Sequence, residues 1–200
     1  MRYAKEFIRN YAPRHDGGHN QSIDGTGKLA SVDARVAKNL KTFIVNEYPS
    51  VKKIVDVGAG QGYFQAEFDN INEFEVLSIE GSAYVNFVAN PEYRLQEDFC
   101  ADLPKDLENY FDLLVSFECI EHIHPDQQER FWDNVKKVSR KALVGIHAAN
   151  EEHAAHCFIR TQDYWDGYFT GKGMNFKLLG AYDWNVWPKA DCSLFYELKW

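Results

Sequence analysis

The stretch Lys53-Ile54-Val55-Asp56-Val57-Gly58-Ala59-Gly60-Gln61-Gly62-Tyr63-Phe64 organises the chain. An apolar run ends in an acid, three glycines alternate, and aromatic residues lead into a helix-like segment. The pattern reads as a buried strand, a tight turn and a helix start. Glycine has no Cβ, so a ligand can approach the backbone closely there. The spacing is G-x-G-x-G rather than the dinucleotide G-x-G-x-x-G, and the lysine of a phosphate-cradling loop is missing. A plain strand-to-helix turn with no ligand fits the same residues.

Outward from this stretch, strands alternate with helices. Residues 31–48 read as a helix, with Ser31 as N-cap, Val32, Val36, Leu40, Phe43 and Ile44 as its apolar stripe, and Pro49 as its stop. Residues 65–70 continue the helix after the glycines. Residues 74–80 read as a second strand, 82–90 as a short helix closed by Pro91, and 93–95 as a third strand. Residues 111–117 form a near-continuous apolar run, as expected of a strand buried on both faces. Residues 125–140 read as a helix with Phe131, Trp132, Val135 and Val138 inward. A fifth strand at 142–147, a helix at 163–169 and two closing strands at 176–182 and 192–199 follow. This order predicts an α/β fold: a doubly wound, mostly parallel seven-stranded sheet with helices on both faces and an antiparallel C-terminal strand.

Two hundred residues, 45% apolar and 15% aromatic, suit one globular domain with a sizeable core. No stretch is long and apolar enough to span a bilayer, and Met1-Arg2-Tyr3-Ala4-Lys5-Glu6-Phe7 has no signal-peptide core. The cysteines, Cys100, Cys119, Cys157 and Cys192, are scattered without C-x-x-C. They predict reduced thiols and a cytoplasmic location. Residues 1–30 are rich in Gly, His, Asn and Gln and read as an N-terminal arm, either a lid over a site or a surface segment.

The net charge of −8 is uneven. Residues 1–53 carry ten Lys/Arg and five Asp/Glu, residues 54–129 carry two and seventeen, and residues 130–200 carry ten and eight. The middle segment repels a nucleic-acid backbone and suits a cationic ligand. Many of these charges also fit plain solvated faces.

In such sheets ligands sit beyond the carboxyl ends of the strands. Four acids fall there: Asp56, Glu80, Asp98 and Glu118. Glu80 stands 18 residues after Gly62, about where an acid grips ribose hydroxyls. A ligand with a ribose, an adenine, an ammonium and a sulfonium accepts these carboxylates better than one with phosphates. S-adenosylmethionine has that inventory.

Over roughly residues 50–180 the sequence resembles the class I S-adenosylmethionine-dependent methyltransferases. Asp56-Val57-Gly58-Ala59-Gly60-Gln61-Gly62 looks like their first motif, Glu80 with Gly81 and Ser82 like the ribose-binding acid, and Asp98-Phe99 like the pair near the adenine. Phe117-Glu118-Cys119-Ile120-Glu121-His122-Ile123 looks like the motif after the fourth strand. The resemblance implies that Asp56, Gly58, Ala59, Gly60, Gly62, Glu80, Gly81, Ser82, Asp98, Phe99, Phe117 and Glu118 bind the cofactor. His122 and His147 are candidate general bases, with Glu121 beside them. Either histidine also fits a structural role.

Glu118-x-x-Glu121-His122, with His156 or His153 further on, offers two carboxylates and two imidazoles to Mg²⁺, Mn²⁺, Fe²⁺ or Zn²⁺. Similar E-x-x-E-H residues with a later His occur in ubiquinone-biosynthesis O-methyltransferases and in methyltransferases of small-RNA 3′ ends. The same residues also fit a metal-free site in which the His orients the substrate and the Glu caps a helix. The expected activity is methyl transfer to a hydroxyl, less readily an amine, of a small acceptor such as a sugar, nucleotide-sugar or phenol. The alternatives are metal-dependent 2′-O-methylation at an RNA 3′ end and an inactive cofactor-binding subunit. The charge distribution argues against a nucleic-acid partner. Neither the acceptor nor the oligomeric state is fixed by sequence.

Overall fold

A computed structural model describes residues 28–69, 71–82, 87–148, 157–181 and 193–200. The N-terminal arm up to residue 27, His153, His156, Trp184, Trp187 and Cys192 lie outside the described residues. The chain divides into two compact units, Met1–Phe99 and Cys100–Trp200. The sheet has seven strands.

In the first unit, helix α1 (Lys28–Glu47) precedes β1 (Lys53–Val57), the short helix α2 (Tyr63–Ala66), β2 (Glu75–Ile79) and β3 (Arg94–Leu95). The strands pair in parallel, with Val57 opposite Ile79 and Ile79 opposite Leu95. Ile54, Val55, Val57, Val76, Leu77 and Ile79 are all buried. Both faces of these strands are therefore covered, which explains apolar runs in place of alternation. Along α1, Ala37, Leu40 and Ile44 are buried at helical spacing.

Three local expectations fail here. The first helix begins at Lys28, so Ser31 lies inside it instead of capping it. The helix after the glycines stops at Ala66 and runs on only as turns to Asp69. The described part of 82–90 is not helical, and a 3₁₀ turn at Pro91–Tyr93 follows, capped by the Asn90 side chain accepting from Glu92 N at 3.0 Å. Tertiary bonds explain the last case. Val88 N donates to Gln61 O at 2.8 Å, and Arg94 Nη2 donates to Ser82 O at 2.6 Å, so these backbone groups are engaged by distant partners.

The second unit holds β4 (Leu113–Phe117), α3 (Gln128–Val138), β5 (Lys141–His147), α4 (Gln162–Gly171), β6 (Asn175–Ala181) and β7 (Ser193–Lys199). Strands β4 and β5 are parallel, whereas β7 runs antiparallel to both β5 and β6. The expected inward residues of α3, Phe131, Trp132, Val135 and Val138, are buried. Trp132 meets Phe169 at 5.2 Å and Trp165 at 6.2 Å, and Phe169 meets Tyr196 at 5.3 Å between ring centroids. This aromatic cluster joins α3 and α4 to β7. Among the described residues no helix is long and apolar enough to cross a membrane.

Trp165 is fully buried in that cluster. Trp165→Ala is expected to cost about 3–5 kcal/mol through lost burial and the cavity left behind. Urea unfolding checks this; a loss below about 1 kcal/mol would show that the cluster can collapse around the gap.

Candidate active site

In the first unit the turn after β1 is fixed from both sides. Gly58 N and Ala59 N both donate to Ile79 O, at 2.9 and 3.2 Å, and Gly62 N donates to Ala59 O at 2.9 Å. Glu80 follows β2 directly, and its own N–H donates to Leu95 O at 3.0 Å. Its carboxylate bridges two loops: Gly60 N donates to Oε2 and Ser82 N to Oε1, each at 2.8 Å. Each carboxylate oxygen offers two acceptor sites, so one on each remains after the backbone bonds.

Asp56 lies buried at the end of β1. Burial, reinforced by the charge of Glu80, raises its carboxyl from 3.8 to about 8. A cationic ligand group beside it would reverse that shift. Gly81 and Asp98 are half-buried, and Ser82 and Phe99 buried.

The glycines of the turn serve different ends. A Cβ at Gly62, where φ is +78°, would meet Phe87 Cε2 at 2.3 Å, so this glycine makes room for a packed ring. A Cβ at Gly60, where φ is +53°, meets nothing within 4 Å. The open side at Gly60 adjoins the Glu80 carboxylate, which is where a close-approaching ligand would fit. The cradle therefore suits the ribose and cationic end of S-adenosylmethionine, with Asp56, Glu80 and the Gly60 turn as the residues to hold it.

In the second unit β4 ends at Phe117, and Glu118 takes φ +48°, an uncommon conformation for a residue with a Cβ. Its N–H donates to Gly145 O at 3.0 Å. Gly145 has a packing reason of its own: a Cβ there would meet Phe117 Cδ1 at 2.4 Å. His147 Nδ1 lies 3.9 Å from Glu118 Oε2. A 3₁₀ turn, Ile120–His122, then carries Glu121 inward.

Glu121 is fully buried, and among the described residues neither carboxylate oxygen has a hydrogen-bond partner. Burial first, and the neighbouring Glu118 charge second, raise its carboxyl well above the ordinary range. Its carbonyl is fully used, accepting from Cys157 N at 3.0 Å and Phe158 N at 2.9 Å. Gln128 Nε2 clamps the same turn by donating to Ile120 O and Ile123 O, both at 2.9 Å. His122 is half-buried on that turn.

The E-x-x-E-H residues are thus gathered on one turn, with His147 at its flank. Among the described residues no group of three or more His, Cys, Asp or Glu is placed to hold a metal, and His156 lies outside them. No side-chain cap by Glu118 or Glu121 is present on the following helix. Sequence reasoning missed Phe87, Arg94 and Gln128. A glycine inside strand β5 was the one signal available for Gly145.

The family defined by a methyltransferase domain matches residues 29–177. The chain belongs to that family and is an S-adenosylmethionine-dependent methyltransferase. Solved structures with this fold include a small RNA methyltransferase, HEN1, at 12% identity and TM-score 0.64, covering 94% of this chain and 27% of that one. The glycopeptide N-methyltransferase MtfA is 14% identical at TM-score 0.62, covering 88% and 98%. Magnesium protoporphyrin IX methyltransferase from Synechocystis PCC 6803, with bound S-adenosylmethionine, is 12% identical at TM-score 0.61, covering 98% and 96%. No curated protein matches the sequence.

Two measurements check the first half-site. Gly62→Ala is expected to lower the thermal midpoint by several degrees because Phe87 must move. Gly60→Ala costs the fold only about 1–2 kcal/mol of left-handed backbone strain and instead weakens binding of S-adenosylhomocysteine in calorimetry. Equal effects of the two on stability would contradict the division of roles.

For Asp56 the folded value, about 8, exceeds the unfolded one, 3.8. The protonated acid is favoured on folding, so its contribution is full below pH 4 and is lost as pH rises through 8. Wild-type stability relative to Asp56→Asn is expected to fall between pH 5 and 8.5 in urea titrations; parallel curves would refute the shift.

Proposed function

We propose that the protein transfers the methyl group of S-adenosylmethionine to a hydroxyl, or secondarily an amine, of a small-molecule acceptor such as a sugar, nucleotide-sugar or phenol. The observation behind the donor assignment is the Glu80 carboxylate, held by Gly60 N and Ser82 N with acceptor capacity to spare. Asp56, Gly58, Ala59, Gly60 and Gly62 then flank the methionine part, and Glu80, Gly81 and Ser82 take the ribose. Asp98 and Phe99 border the adenine. Phe117 and Glu118 join the donor-binding set on the resemblance of their motif.

The bound donor supplies an electrophilic methyl on a sulfonium, and holding the acceptor oxygen in line contributes much of the rate. His122 and His147 are the proposed acceptors of the hydroxyl proton. The Glu118 carboxylate lies 3.9 Å from His147 Nδ1. Glu121 stands next in the same turn. The scarcity of positive charge in residues 54–129 supports a small acceptor over a polyanion.

A second reading is favoured by one observation, the buried carboxylate of Glu121 with no partner among the described residues. A divalent cation held by Glu118, Glu121, His122 and His156 would compensate it and could activate a vicinal diol. The small RNA methyltransferase among the neighbours makes an RNA 3′-terminal diol the acceptor to test under that reading.

Calorimetry with S-adenosylhomocysteine decides the donor. The wild-type protein is expected to bind it, and Glu80→Ala to lose at least roughly tenfold in affinity, about 1.4 kcal/mol. No binding to the folded wild type would sink the assignment. Elemental analysis of the purified protein and of Glu121→Gln addresses the metal: stoichiometric metal that is lost in the variant supports the second reading, and methyl transfer by metal-free protein removes it.

A further inference from the structure

Among the described residues, Arg94 places a positively charged side chain against the donor half-site's framework. It lies on β3 opposite Ser78, two residues before Glu80. Its Nη2 donates to Ser82 O at 2.6 Å, and its guanidinium carbon sits 5.1 Å from the centroid of the Phe87 ring. Phe87 in turn fills the space that a Cβ would need at Gly62, at 2.3 Å. Val88 N closes the same contact by donating to Gln61 O at 2.8 Å. Ser82, held by Arg94 through its carbonyl, offers its N–H to Glu80 Oε1 at 2.8 Å. The other oxygen of Glu80 is held by Gly60 N. The contacts form a closed circuit from the glycine turn through Phe87, Arg94, Ser82 and Glu80 back to the glycine turn.

From this geometry we propose that Arg94 is a positioning residue for donor binding. It fixes the loop after β2 so that Glu80 presents its free acceptor positions to the donor's ribose. The inference rests on the donor reading above and deepens it. Three features of the side chain fit the role. A guanidinium can donate to a carbonyl and lie across a ring at once, which an ammonium does less well. Its Nε is buried and has no hydrogen-bond partner among the described residues, so a purely structural account leaves one donor unexplained. Arg94 and Lys105 are also the only Lys or Arg in residues 54–129. One of only two such cations in an acidic segment, aimed at one loop carbonyl, is more specific than a solvated face.

The test is a double-mutant cycle read by calorimetry with S-adenosylhomocysteine, using the full chain. Arg94→Met is expected to weaken binding roughly tenfold, about 1.4 kcal/mol. Arg94→Lys, which keeps a donor and a charge, recovers part of the loss. On a Glu80→Ala background, Arg94→Met is expected to add little, because its effect runs through Glu80. A merely structural arginine would lower the thermal midpoint and add independently to Glu80→Ala. Should Arg94→Met give no cooperative unfolding transition, Phe87→Leu carries the same comparison, since it removes the ring beneath the guanidinium and keeps an apolar group against Gly62. Binding unchanged in these variants, or losses that add to Glu80→Ala, would overturn the role of Arg94 while leaving the donor reading intact. No binding by the wild type would overturn both.

Discussion

The bridging of Gly60 N and Ser82 N by one carboxylate is the interaction on which the donor half of the molecule depends. It joins the loop after β1 to the loop after β2 through Glu80. Neither loop has a regular partner of its own for those two N–H groups, and a charged acceptor is the strongest available. The arrangement is also electrostatically costly. Asp56 is buried close enough for Glu80 to help raise its carboxyl to about 8. Two acids in one small volume cannot both ionise without help. A ligand bringing an ammonium and a sulfonium relieves that conflict, whereas one bringing phosphates would deepen it. A cationic donor is compatible with this charge balance.

The second unit repeats the theme with different parts. Glu121 is fully buried beside Glu118, and its oxygens lack partners among the described residues. An unpaired buried polar group costs about 1–3 kcal/mol, more when charged. The local structure enforces the placement regardless. Gln128 clamps two carbonyls of the turn, and the Glu121 carbonyl receives two N–H groups from Cys157 and Phe158. Four hydrogen bonds therefore hold the backbone of the turn that carries this buried carboxyl. Burial at this turn favours the protonated form of that carboxyl.

Much of this was legible in the chain. Strand β1 and the acid at its end follow from an apolar run stopped by glycines, and Glu80 from its place just after the second strand. The inward face of α3 follows from helical spacing, and all four residues named for it are buried. What escaped were pairings between residues distant in sequence. Residues 82–90 carry helix-like signals, yet Arg94 and Gln61 claim backbone groups there. Ser31 is a good cap by type, but nothing local prevents α1 from starting at Lys28. Gly62 reads in the sequence as room for a ligand and Gly145 has no reading there, yet both leave space for a ring, Phe87 and Phe117. Such packing has no one-dimensional signature, because the ring and the glycine are set by separate segments.

The same reasoning explains why the fold identifies the donor and leaves the acceptor open. The loops after β1 and β2 are joined mainly through backbone N–H groups, glycines and the Glu80 carboxylate, with Asp56 buried nearby. Proteins with this fold at 12–14% identity include a small RNA methyltransferase, a glycopeptide N-methyltransferase and a magnesium protoporphyrin IX methyltransferase. Those differences cannot reside in the shared sheet, and they belong to side chains grafted on its loops. In this chain the candidates are the turn carrying Glu118, Glu121 and His122, with His147 beside it. Two acids and two imidazoles on so short a span can accept a proton or coordinate a cation, but they offer no cationic surface for a polyanionic backbone. A hydroxyl acceptor, single or vicinal, is compatible with such a set of side chains.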